Sequence, residues 1–135
     1  MNFVPVTVEI ANGTLRLVHE SFVVDAPRVD APLLTDGAPA SVGIRPEDIQ
    51  ITVEGEGVPA TVYATEPLGG ETVVDVTIGD RIVKALAPPT LVLAPDDAVR
   101  ITFDPQRLHV FDQAGDAALS AAGAGGMFQV HAFAG

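Results

Sequence analysis

The 135-residue chain has no cysteine and no tryptophan, and aromatic residues make up only 5% of it. Without thiols there is no disulfide framework and no thiolate metal site, which suits a reducing, cytoplasmic setting. With so few rings, the core must come mainly from Val, Ile, Leu and Ala. Lysine is nearly absent: Lys84 is the only one, and it follows Val83 inside a strand-like run. The phosphate-cradling pattern G-x-x-x-x-G-K-[ST] therefore has no match. Basic residues number seven against 18 acidic ones, for a net charge of −11. That balance opposes binding to nucleic-acid phosphates or anionic lipid, both of which call for a basic surface. No apolar run is long enough to cross a membrane as a helix. The opening MNFVPVTVEIANG has no basic leader segment and alternates too early for a signal peptide.

Catalytic patterns are missing too. His19, His109 and His131 are far apart in the chain, with no H-x-x-x-H spacing. Ser21, Ser41 and Ser120 are the only serines, and none sits in a G-x-S-x-G elbow. Glu54 with Glu56, and Asp96 with Asp97, fall in turn-like segments where carboxylates are ordinarily solvated.

What is present is alternation. Ile49, Ile51 and Val53 alternate with Gln50, Thr52 and Glu54. Val58, Ala60, Val62 and Ala64 do the same, followed by Val74, Val76 and Ile78, then Val99, Ile101 and Phe103. Side chains on a strand point to opposite faces in turn, so each set marks one buried face. Val4–Ile10, Thr14–Val18 and Phe22–Val24 read as further strands. Asn12-Gly13 and Gly79-Asp80 have the two-residue spacing of hairpin turns. About eight to ten short strands with no long helix predict an all-β fold, a small barrel or sandwich. Residues 25–40, with Pro27, Pro32, Gly37 and Pro39, read as a connector between N-terminal strands (1–24) and a main barrel segment (41–113). The domain spans 1–119 and is followed by an Ala/Gly-rich tail, 120–135; across that boundary Ala117–Ala122 reads as a helical turn or two ended by Gly123. The segment 127–133 either adds an edge strand or stays disordered, and a frayed tail is the expectation.

Three segments carry a family likeness: VGIRPEDIQI, ATEPLGGETVVDVTIGD and VRITFDPQRLHVFDQAGDA. Their order and spacing, with the opening Met1-Asn2-Phe3, resemble the C-terminal regulatory region of ATP-binding subunits of bacterial ABC importers. The nearest class is that of the maltose, sugar and glycerol-3-phosphate importers. The matching positions are Gly43–Glu47, Glu66–Glu71 and Leu108–Gly115. The resemblance implies an OB-like (TOBE-type) β-barrel without catalytic, cofactor or metal residues. ATP and Mg would belong to the ATPase domain of the parent subunit. It further implies a cytoplasmic domain, peripheral to the membrane, whose partners are a second copy of the subunit, the ATPase domain, the permease subunits and in some members a cytosolic regulator. Direct membrane insertion and nucleic-acid binding are not implied.

Gly43, Arg45, Pro46, Glu47, Gly69 and Gly70 then read as a structural signature. Arg45 is expected to pair with Glu47 and hold the corner that Pro46 shapes. Gly69 and Gly70 supply permissive backbone at a turn. Glu66, Glu71, His109 and Phe111 are the candidate interface. Either Leu108 and Val110 face the core or His109 and Phe111 do, and the pattern leaves that open. Two departures stand out: Pro67 inside EPLGGE, and Asp96 where the family often has glycine, a change that left-handed backbone tolerates. An alternative function is an oxyanion-sensing barrel, with Gly69, Gly70 and Thr72 as its cradle.

Overall fold

The computed structural model describes residues 1–27, 33–120 and 128–132. Among these residues twelve strands form. They are β1 (Asn2–Ala11), β2 (Thr14–Val18), β3 (Phe22–Pro27), β4 (Pro39–Ile44), β5 (Ile49–Thr52), β6 (Val58–Pro67), β7 (Thr72–Ile78), β8 (Arg81–Ala87), β9 (Ala98–Phe103), β10 (His109–Phe111), β11 (Ala117–Ser120) and β12 (Gln129–Ala132). The helical content is two single 3-10 turns, Pro46–Asp48 and Pro105–Arg107. No helix among the described residues is long and apolar enough to cross a membrane.

The strands make two antiparallel sheets. One has seven strands in the order β11-β10-β4-β1-β2-β3-β12, and the other has five in the order β5-β9-β6-β7-β8. The edges of the smaller sheet, β5 and β8, lie against each other without a hydrogen-bonded ladder, so that sheet curls toward a barrel. The alternating sets found in the sequence face the core between the sheets, except that Val53, beyond the end of β5, is 58% exposed and Ala64, after a bulge in β6, is half-buried. Val4, Val6 and Val8 are buried there with Ile49, Ile51, Val58, Val62, Val74, Val76, Ile78, Val99, Ile101 and Phe103. Phe22, wholly buried, meets Phe103 edge-on at 5.1 Å and joins the two halves.

Local chemistry explains the turns. Asn12 (φ 54) and Gly13 (φ 76) are both left-handed, the backbone of a hairpin turn whose twist matches its strands. In β6 the ladder to β7 slips between Val62 and Ala64. Tyr63 still follows the alternation and is 60% exposed, and the bulge then ends it, leaving Ala64 and Thr65 both half-buried. Asp96 has φ 73, so the residue standing in for glycine does adopt the left-handed conformation. The Asp97 carboxylate accepts from the Ala94 N–H at 2.9 Å and closes that turn.

The tail departs from expectation. Ala117–Ser120 pairs with β10 as a strand and is not helical. Gln129–Ala132 pairs with β3 and is not frayed. Unpaired groups on the edges of β10 and β3 reward added strands, and Phe128, 2% exposed, anchors the second one in the core. Asp25 reinforces that edge: it receives the Arg16 guanidinium at 2.9 Å and lies 3.4 Å from His131 of β12. In the expected connector, β3 runs on to Pro27 and β4 starts at Pro39, while Gly37 and Ala38 bond to the backbone of Val8. Residues 28–32 of that connector, and 121–127 and 133–135 of the tail, lie outside the described residues.

Candidate interaction face

The corner after β4 begins at Arg45, whose extended backbone (φ −79, ψ 149) follows from the proline after it. Pro46 opens the 3-10 turn. Three backbone bonds hold the corner: Asp48 N–H to Arg45 O at 2.9 Å, Ile49 N–H to Pro46 O, and Asp104 N–H to Asp48 O at 3.0 Å. The expected Arg45–Glu47 pair does not form. Both residues are exposed, and Arg45 takes part in none of the ion pairs or side-chain hydrogen bonds among the described residues. A pair in open water gains little over solvation, and the backbone already fastens the turn.

Leu108 and Val110 are each 1% exposed, which turns His109 and Phe111 outward, both of them half-buried. Phe111 is half-buried because of Gly43. A β-carbon at Gly43 would sit 2.7 Å from the Phe111 ring and 2.8 Å from the Met1 sulfur. Only a residue without a side chain lets both lie flat on β4. Phe3 (50% exposed) closes on Phe111 edge-to-face at 5.4 Å and 66°.

Register orders the rest of this face. Gly43 is opposite Phe3 on one side and His109 on the other, while Ser41 is opposite Pro5 and Phe111. Antiparallel pairing of β4 with β10 puts Arg45, just after the end of β4, and Arg107, just before the start of β10, at the same end of that strand pair. Both arginines are exposed. The outer surface of β1, β4 and β10 is therefore an aromatic patch, with two arginines at one end of the β4–β10 pair that have no carboxylate partners among the described residues, in a chain of net charge −11. Sequence reading missed Met1, Phe3 and Arg107 as members. The alternation of Phe3 with Val4, Val6 and Val8 was the available signal for Phe3. That Arg45 and Arg107 come to the same end of two paired strands needs the pairing to be seen.

Glu66 and Glu71 are elsewhere. They flank the β6–β7 turn of the five-stranded sheet, where Leu68 N–H bonds to Glu71 O at 2.8 Å, and both are exposed. Gly69 has φ 93 and needs to be glycine, whereas Gly70 has no positive φ. Beside this turn is a shallow groove of about 220 Å³, lined by Thr65, Pro67, Glu71, Thr72, Leu91 and Val92 among others. No Lys, Arg or His lines it, and the Glu71 carboxylate opposes an oxyanion there. Among the described residues no group of three or more His, Asp or Glu side chains is placed to hold a metal ion.

The family model for the TOBE domain matches residues 42–111, more than half of the chain, from β4 through the corner to Phe111. The chain belongs to the TOBE-domain family. A second model, the MalK OB fold domain, matches residues 1–49 of this TOBE domain and so covers Met1, Asn2 and Phe3. Together the two models span the outer face just described. The TOBE domain is 38% identical over 113 residues, 83% of its length and 29% of the relative's, to an uncharacterized ABC transporter ATP-binding protein of Sinorhizobium fredii. It is 36% identical over 85 residues (57% of its length, 22% of the relative's) to the sulfoquinovosyl glycerol transport ATP-binding protein of Agrobacterium fabrum. It is 33% identical over 78 residues (58% and 21%) to an sn-glycerol-3-phosphate import ATP-binding protein of the same organism. The TOBE domain thus spans less than a third of the length of these curated relatives.

Proposed function

We propose that this TOBE domain is the non-catalytic regulatory and dimerisation module of the ATP-binding subunit of a bacterial ABC importer. ATP and Mg are handled by the ATPase part of that subunit, and the TOBE domain supplies no catalytic group. The names of its relatives favour a sugar or a glycerol phosphate as cargo. The permease and the ATPase domain are its fixed partners, which place it on the cytoplasmic side of the membrane without inserting. A second copy, and where present a cytosolic regulator, meets the outer face of β1, β4 and β10.

The observation that carries this reading is the exposed Phe3–Phe111 pair seated on Gly43. Exposed clustered rings beside arginine have the composition of a protein contact. Nucleic acid is disfavoured by the net charge of −11. The isolated chain associates weakly, because like-charged copies repel, and salt favours the dimer.

The test is Phe3→Ser and Phe111→Ala in the full-length subunit assembled with its permease. Loss of regulation or subunit pairing, with ATP binding retained, supports the reading. Wild-type assembly and wild-type regulation in both variants sink it.

A further inference from the structure

We propose that His19 is an acid-sensitive latch on the β2–β3 turn, a device separate from the interaction face. His19 follows β2 in the turn that leads into β3 and is only 9% exposed. Its Nδ1 accepts a hydrogen bond from the Ser21 N–H at 3.0 Å, and its own backbone N–H donates to Phe22 O at 2.9 Å. The ring stacks on Phe22 at 4.8 Å and 22°, and Phe22 in turn meets Phe103 of the other sheet. A nitrogen that accepts a hydrogen bond carries no proton, so this geometry belongs to the neutral ring with its proton on Nε2.

The turn rests on the β7–β8 turn of the five-stranded sheet. The Glu20 carboxylate lies directly against Gly79. The charged groups that act on His19 are Glu20 from its own turn and Asp80 and Arg81 from the opposing one. Burial lowers the His19 pKa and is the largest effect; Glu20 and Asp80 raise it, and Arg81 lowers it. Protonation of Nδ1 would set an N–H against the Ser21 N–H and end that bond. The charged ring then gains by turning toward Glu20 and Asp80. The neutral state fastens the β2–β3 turn through the Ser21 bond, and the protonated state gives up that bond and opens the turn.

The sign follows from linkage. The folded pKa is depressed below the ordinary value of 6.5. As pH falls below that ordinary value the unfolded chain takes up the proton first, so stability declines. The decline ends once pH has passed the lower, folded pKa. At neutral pH and above, the latch is closed.

The experiment is amide hydrogen exchange on the intact chain between about pH 7.5 and pH 5, corrected for the intrinsic pH dependence of exchange. Ser21 and Phe22 are expected to lose protection at the acid end, while Val74 and Val76 keep theirs. His19→Gln, whose carbonyl can accept from Ser21 but does not titrate, is expected to remove that pH dependence. The same loss of protection in His19→Gln overturns the proposal. If that variant does not fold, NMR titration of the three imidazoles in the unaltered protein decides. His19 protonating below the ordinary imidazole value of 6.5, in step with the loss of Ser21 protection, supports the latch. Titration of His19 at or above that value, or protection independent of pH, overturns it.

Discussion

The side-chain amide of Asn2 pairs with both backbone groups of Lys84: its Nδ2 donates to the Lys84 carbonyl at 2.8 Å and its Oδ1 accepts from the Lys84 N–H at 2.9 Å. It does for the edge of β8 what a neighbouring strand's peptide would do. Lys84 is thereby tied to the other sheet through its backbone, while its ammonium group pairs with Asp75 at 2.9 Å. Asn2→Ala should cost about 1–2 kcal/mol, the worth of two hydrogen bonds at a partly exposed site. Asn2→Asp should not rescue it, because a carboxylate oxygen would then face the Lys84 carbonyl. Urea unfolding of the two variants checks both statements.

Gly43→Ala should disturb the outer face more than the fold. The new methyl group meets the ring of Phe111 and the sulfur of Met1, both of them side chains that can swing into solvent. A cost of about 1 kcal/mol is expected in unfolding. Sedimentation velocity at raised salt should show the larger effect, a loss of self-association. A variant that associates like the parent would separate the aromatic pair from the contact.

Arg45→Ala should leave stability within about 0.5 kcal/mol of the parent, as expected for an exposed residue without a partner. A loss of stability would show that the arginine braces the corner after all. The sequence-based expectation of a structural ion pair required that loss, whereas the observed corner is held by backbone bonds. Arg107→Ala should be equally mild. Changing both should weaken the salt-sensitive part of partner binding in the full subunit.

Gly79→Ala combines two costs that a double-mutant cycle can separate. The backbone there is left-handed (φ 59), and the Glu20 carboxylate occupies the space a β-carbon would take. Together they should lower stability by about 1–2 kcal/mol. With Glu20→Ala in the background, only the backbone strain should remain, about 1 kcal/mol. An unchanged cost in that background would show that Glu20 makes way freely.

Alternation is a local property of the pleat, so the chain's strands and buried sets were legible without coordinates: Val74, Val76 and Ile78, or Val99, Ile101 and Phe103, can share a face only as strands. Hairpin turns were legible for the same reason, since Asn12-Gly13 carries its backbone preference in its own residues. The all-β class and the family likeness followed from such local signals. The choice between Leu108 with Val110 and His109 with Phe111 did not, because period two names two faces without saying which one meets a core. Tertiary structure decided it by pairing β10 beside β4 in one sheet, where the bare surface of Gly43 receives Phe111. The same holds for Asn2 and Lys84, 82 residues apart. It holds as well for β12, where the burial of Phe128 and pairing with β3 outweigh a tail composition that favours neither. Which edges meet is set by closure of the whole barrel, and no window of sequence contains that closure.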